Sequence, residues 1–249
     1  MAVAVSSASN GTRGRPPYFM TFKYNEAVPW GRSFDEYCRM FGLSEVDLQL
    51  RIIGCGDGPA SFNSEMLKLG HRVVSCDPLY QLSTTQIQER IDETYENVMR
   101  QTYENRHRFV WTRIKSPEEL GKVRLAAMKK FLADFDDGKR DARYVTAELP
   151  VLPFASNAFD LAVCSHFLFL YSDILTFEFH QLAIEEMCRV AQEVRVFPLL
   201  NYNAQTSPFL EPLLKVLADA RYNTSIEVVP YEFQRGGNQM LRVRRVTSS

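Results

Sequence analysis

The clearest periodic signal in the chain is helical. Residues 84–105 place Ile87, Ile91, Tyr95, Val98 and Thr102 on one stripe. After them, Ser116-Pro117-Glu118-Glu119 has the form of a capping box with proline in the first turn. The helix it predicts carries Leu120, Val123, Ala127, Phe131 and Phe135 on one side and ends near Gly138. Shorter helices are expected after Ser33, with Phe34, Tyr37, Cys38 and Phe41 on one face, and from Pro59, with Phe62, Met66 and Leu69. Two more are expected over about 176–191, with Leu182, Ile184, Met187 and Val190, and from Ser207-Pro208, with Leu210, Leu213, Leu214 and Leu217. Short branched apolar runs predict strands at 48–53, 72–76, 144–147, 159–164 and 194–200. Two last strands, 226–229 and 240–246, flank Gly236-Gly237-Asn238 and predict a terminal β-hairpin.

Strands that alternate with helices build a mostly parallel sheet covered on both faces. The expected class is therefore α/β: a doubly wound sheet of about seven strands with a C-terminal antiparallel hairpin. The segment 84–140 breaks the alternation. A helical insertion of about 55 residues stands after the second strand, where a few residues and one helix would serve. Residues 18–249 read as one domain, and the Ser/Gly/Pro/Arg-rich residues 1–17 as a disordered tail without the apolar core of a secretory signal, with an organelle transit peptide as the alternative because no acid precedes Glu26.

Composition narrows the partners. The 249 residues are 45% hydrophobic and 24% charged, the balance of a soluble globular protein. A net charge of -1 argues against nucleic acid as a bulk electrostatic partner. The basic cluster Arg100, Arg106, Arg108 and Arg113 is expected to be a solvated helix face. No run approaches the roughly 20 apolar residues that span a bilayer, so no membrane partner is expected. The five cysteines are odd in number, widely spaced and free of any C-x-x-C, which points to no disulfide framework, no metal site and a reducing, cytoplasmic compartment. The oligomeric state is not legible.

Candidate chemistry begins at Ile52-Ile53-Gly54-Cys55-Gly56-Asp57-Gly58-Pro59, a strand running into a turn with three alternate glycines. Such a turn lets a ligand approach bare backbone, and the amides behind it face the ligand. Asp77 lies 19 residues after Gly58, at the end of the next strand, followed by Pro78 and Leu79. A carboxylate there can accept hydrogen bonds from a ribose diol, although Asp-Pro also starts ordinary turns. Nicotinamide dinucleotides and S-adenosyl-L-methionine both suit this arrangement. Pro59 stands where the dinucleotide fingerprint takes Gly or Ala, which counts against a dinucleotide.

Glu148-Leu149-Pro150-Val151-Leu152-Pro153-Phe154 then runs into Phe159-Asp160-Leu161-Ala162-Val163. With these three motifs in register, the chain resembles the class I S-adenosylmethionine-dependent methyltransferases over about 49–200. The resemblance implies that Gly54, Gly56 and Gly58 shape the turn beside the methionine and ribose. It implies that Asp77 binds the ribose hydroxyls, that Leu79 flanks the adenine, and that Glu148 and the Leu149 amide approach the adenine ring. Two departures stand out. Many members carry an acid where this chain has Ile52, and Asp57 is the candidate substitute for its link to the methionine amine. The family's frequent Gly-Gly before the fifth strand is replaced by Ala191-Gln192-Glu193.

Ser165-His166 follows the fourth strand, where this fold holds the transferable methyl group, so His166 is the candidate base or positioning residue. A packed role among Phe167, Leu168 and Phe169 is its alternative. Arg32, in Trp30-Gly31-Arg32, is the candidate clamp for the methionine carboxylate, or else a surface arginine. Tyr24 and Trp30 are candidate lid residues, and the insertion is a candidate substrate cap through Tyr95, Tyr103, Phe109 and Trp111. No H-E-x-x-H, P-loop or G-x-S-x-G occurs. The function expected is methyl transfer from S-adenosylmethionine to a small molecule by in-line displacement. Cofactor binding without catalysis and a nicotinamide-dependent dehydrogenase are the alternatives.

Overall fold

All seven predicted strands are present, and they form a single sheet in the order β3-β2-β1-β4-β5-β7-β6. The computed structural model describes residues 28–246, so the tail 1–17 and Tyr24 lie outside the described residues. The strands are β1 (Ile52–Cys55), β2 (Val73–Cys76), β3 (Tyr144–Val145), β4 (Phe159–Ser165), β5 (Ala191–Phe197), β6 (Tyr222–Val228) and β7 (Gln239–Arg245). β1 to β5 pair in parallel, while β7 runs antiparallel between β5 and β6. The doubly wound sheet, the C-terminal hairpin and the helical insertion after the second strand are all as expected.

The helices are α1 (Phe34–Met40), α2 (Phe62–Lys68), α3 (Thr84–Glu104), α4 (Pro117–Arg140), α5 (Phe177–Val190) and α6 (Leu210–Asp219). Alternate residues of a central strand feed opposite layers. Ile53, Ala162 and Val194 pack with Ile184 and Met187 of α5 and Leu213 of α6. Ile52, Val73 and Leu161 pack on the other face with Tyr37 and Met40 of α1 and Phe62 and Met66 of α2. Among the described residues, no helix is long and apolar enough to cross a membrane.

Several boundaries differ from the sequence pattern, each because a specific bond intervenes. Residues 47–49 form a 3-10 turn rather than the start of a strand. The Asp47 carboxylate holds that turn by accepting from the Ser44 amide (2.9 Å) and from Arg195 (3.1 Å). Pro59 does not open α2, which starts at Phe62. The Ser61 amide donates to the Arg32 carbonyl (3.0 Å), and Gly31 lies so close that a Cβ on it would overlap the Pro59 carbonyl. β5 starts at Ala191 instead of 194, directly after α5, so no glycine pair intervenes. The Ser116 hydroxyl caps α4 by accepting from the Glu119 amide, but the Glu119 carboxylate takes the Lys115 amide and not that of Ser116, so the box is half formed.

In the insertion, Ile87 and Ile91 of α3 and Met128, Phe131 and Phe135 of α4 pack with Leu79, Tyr80 and Tyr144 of the body. The linker between α3 and α4 meets the long loop between β6 and β7. The Val110 amide donates to the Phe233 carbonyl (2.8 Å), and the Arg235 amide to the Arg108 carbonyl (2.9 Å). A buried ion pair ties the insertion down further. Arg124 of α4 and Glu36 of α1 have side chains only 1% and 3% exposed. The guanidinium donates to both carboxylate oxygens (2.6 and 2.5 Å), and the Tyr231 hydroxyl adds a bond of 2.9 Å. Burial alone would raise the Glu36 carboxyl, but Arg124 overrides it and holds it down at about 2.

Removing one partner of such a pair strands the other in a dry interior. Arg124→Met is expected to lower unfolding free energy by about 3–5 kcal/mol, and Glu36→Leu/Arg124→Met by much less than the sum of the single changes. Urea unfolding of the four chains measures the coupling. The folded carboxyl, at about 2, lies below its ordinary 4.5. The pair's contribution is therefore complete above pH 4.5 and is lost as pH falls toward 2. The double variant is expected to show a shallower acid loss than the wild type over that window.

Candidate functional site

The carboxyl ends of β1, β2 and β4 open into a cavity of about 1040 Å³, roofed by the insertion and the β6–β7 loop. This is the position at which the sheet reverses its winding, as expected for a ligand in an open α/β sheet.

The floor is the glycine turn. Gly56 (φ 69°) and Gly58 (φ 53°) occupy the left-handed region, which glycine enters without a Cβ penalty. Gly54 has another reason to be bare: a Cβ there would overlap the Asp57 carboxylate. That carboxylate is 7% exposed. It accepts from the Tyr37 hydroxyl (2.8 Å) and the Ser75 hydroxyl (2.6 Å). Burial pushes it up to about 7 against the pull of those two bonds. Asp57 thus braces the turn from below, one protein donor on each oxygen, and it lines the cavity. The Tyr80 hydroxyl holds the turn from the other side, donating to the Gly58 carbonyl (2.8 Å).

Asp77 closes β2 at the lip of the same turn. One carboxylate oxygen accepts from the Gly58 amide (2.8 Å) and the other from the Leu79 amide (2.7 Å). A carboxylate has about four lone-pair directions, so acceptor capacity remains toward the cavity that Asp77 lines. Enclosure raises its carboxyl to about 6, opposed by the two amides and reinforced by the charge of Glu148. Pro78, buried Leu79 and buried Leu149 line the adjacent wall, and exposed Glu148 stands at its rim. The glycine turn, Asp77 and the Glu148-Leu149 pair, far apart in sequence, therefore border one cavity.

Ser165 and His166 follow β4 in the same lining. The Ser165 hydroxyl shares a 2.9 Å hydrogen bond with His166 Nδ1. His166 is held at φ 51°, an uncommon conformation for a residue with a side chain. Its amide donates to the Phe197 carbonyl (2.6 Å), and its ring lies edge-on to Phe197. Burial, with the Arg32 and Arg124 cations nearby, pushes the imidazole well below its ordinary 6.5.

Arg32 lines the cavity too. One terminal nitrogen donates to the Trp30 carbonyl (3.1 Å), and its buried Nε has no partner. Among the described residues Arg32 forms no ion pair. Burial and the neighbouring Arg124 cation disfavour its charge. An enclosed guanidinium with unspent donors and, among the described residues, no carboxylate in contact fits a carboxylate-bearing ligand.

The insertion contributes Val98, Gln101, Asn105, Arg108 and Phe109 to the lining, so it does cover the cavity. The four aromatics expected to do so divide. Phe109 faces the cavity and stacks on Phe233 (4.8 Å). Trp111 packs edge-on behind both rings. Tyr95 packs against Trp30, and Tyr103 is 54% exposed. Tyr37, Tyr80 and Phe233 belong to the site and were not singled out by sequence. Tyr37 reads as one more apolar position on α1, and no spacing signals that its hydroxyl meets Asp57.

No protein-family model matches the chain. Among solved structures, a putative S-adenosyl-L-methionine-dependent methyltransferase from Methanococcus maripaludis aligns over 87% of this chain and 84% of its own, with a TM-score of 0.45 and 11% identity. Magnesium protoporphyrin IX methyltransferase from Synechocystis PCC 6803, solved with bound SAM, aligns over 86% and 91%, with a TM-score of 0.43 and 12% identity. The sequence likeness to Uncharacterized protein MJ0045 of Methanocaldococcus jannaschii is closer: 34% identity over 223 residues, 88% of this chain and 97% of that protein. At that identity and coverage, the chain belongs to the same family as MJ0045.

Proposed function

We propose that this chain binds S-adenosyl-L-methionine in the cavity and transfers its methyl group to a small-molecule acceptor, in a reducing, cytoplasmic setting. The observation that carries the reading is the Asp77 carboxylate, fixed by the Gly58 and Leu79 amides at the edge of a bare glycine turn. That arrangement suits a ribose diol, and the unpaired Arg32 suits a methionine carboxylate in the same cavity. Glu148 and Leu149 would border the adenine. The four buried cysteines and half-buried Cys38 are all free, which fits the compartment.

When bound, S-adenosylmethionine supplies an electrophilic methyl carbon. The chain has to align an acceptor with it and exclude water. The roof formed by α3, the linker and Phe233 serves exclusion. His166, after β4, is positioned to orient the acceptor. With Nδ1 held by the Ser165 hydroxyl, Nε2 is the ring nitrogen left to hydrogen-bond the acceptor.

Asp77 binds hydroxyls best when ionised. Its carboxyl lies at about 6, so affinity for S-adenosylmethionine is expected to be constant above pH 7 and to fall below pH 6. The limiting slope is about tenfold per pH unit. Asp77→Asn should weaken binding by about 1.5–3 kcal/mol at pH 8 and flatten that slope. Calorimetry across pH reads both, and an unchanged affinity in the variant removes Asp77 from the cofactor site. His166→Ala is expected to reduce kcat on the order of 100-fold while cofactor Kd stays within about twofold. A metabolite-extract screen with labelled methyl donor supplies the assay. Wild-type kcat in that variant excludes His166 from the chemistry, and cofactor binding without transfer to any acceptor sinks the enzymatic reading.

A further inference from the structure

The cavity lining includes residues to which the cofactor reading gives no role. Sheet order puts β2 and β3 on one side of β1, and β4, β5, β7 and β6 on the other. The acids lining the cavity among the described residues, Asp57, Asp77 and Glu148, follow β1, β2 and β3. His166 follows β4. The lining also includes Phe109 of the α3–α4 linker and Phe233 of the β6–β7 loop, stacked with planes 16° apart.

Arg108 stands next to Phe109 and lines the cavity. Its backbone is pinned there because its carbonyl accepts from the Arg235 amide (2.9 Å). The other arginines of the basic cluster are occupied elsewhere or stand outside the lining. Arg100 pairs with Glu104 and Asn97, Arg106 lies over the Tyr103 ring, and Arg113 is exposed. Among the described residues, Arg108 has no carboxylate partner and its side chain makes no hydrogen bond. Arg108 is exposed like its neighbours, but unlike Arg100, Arg106 and Arg113 it also lines the cavity, next to Phe109 and in the same lining as Phe233.

A planar guanidinium recognises carboxylates and phosphates through paired N–H donors. Stacked phenylalanines favour a flat ring laid against them. We propose that the methyl acceptor is a ring-containing small molecule bearing an anionic group, held by Arg108, with its ring against Phe109 and Phe233. This rests on the methyltransferase reading and adds the substrate class to it.

The test is calorimetry on the full chain saturated with S-adenosylhomocysteine, using three probes: 4-hydroxybenzoate, 4-hydroxyphenyl phosphate and the neutral 4-hydroxybenzamide. The expected result is that at least one anionic probe binds about tenfold or more tighter than the amide, and the tighter of the two identifies the anion. Arg108→Ala should erase the preference with S-adenosylhomocysteine affinity unchanged. Arg108→Glu should shift it to the cationic 4-(aminomethyl)phenol. Arg108 is exposed, so both variants are expected to fold. Equal binding of charged and neutral probes, failure of both anionic probes to bind, or a preference that survives Arg108→Ala overturns the proposal. A wild-type chain that binds no S-adenosylhomocysteine refutes the parent reading and this one with it, and that result is seen before any probe is added.

Discussion

The site depends on one carboxylate doing two things. Asp77 binds backbone on both of its oxygens, so the end of β2 and the turn after β1 become a single rigid lip. Without that clamp, two glycines in the left-handed region would have little to hold them in one conformation, since glycine loses more freedom on ordering than any other residue. Asp57 completes the clamp from beneath, through Tyr37 on α1 and Ser75 on β2. The turn is thus tied to α1 and β2, and the Gly56 and Gly58 amides are spent holding it, on the Cys76 carbonyl and the Asp77 carboxylate.

The two buried acids show how charge is managed in this small space. Asp57 is pushed to about 7 and Asp77 to about 6, each chiefly by enclosure. Neither has a cation in contact. Both rely on neutral donors, hydroxyls for one and amides for the other, to tolerate ionisation. The cations of the cavity, Arg32 and Arg108, make no ion pair with them. Among the described residues, donors without a carboxylate in contact and acids without cations leave the cavity with polar capacity that the protein does not use on itself.

Much of this was legible in the sequence, because the signals were local. Gly54-Cys55-Gly56-Asp57-Gly58, Asp77-Pro78 and Glu148-Leu149 each sit at a strand end, and strand ends are what apolar runs followed by turn residues mark. The sheet class followed from alternation, and the insertion from a stripe of apolar residues too long for a connection. What escaped depends on contacts across long stretches of chain. The hydroxyls of Tyr37 and Tyr80 look apolar in a periodic pattern, and only the fold brings them to Asp57 and Gly58. Arg124 sits among the polar positions of α4, yet it is buried because Glu36, 88 residues away, meets it. Pro59 looked like a helix start because the pattern does not show that the Arg32 carbonyl takes the Ser61 amide.

The ion pair between α1 and α4 also constrains how anything reaches the cavity. α4 belongs to the insertion, and Tyr231, which joins the pair, belongs to the loop that meets the roof. Swinging α4 outward would tear apart opposite charges in a water-free interior, a step far dearer than parting an apolar seam. The α3–α4 linker and the loop facing it are joined otherwise, by two backbone hydrogen bonds and stacked rings that hold no buried charge.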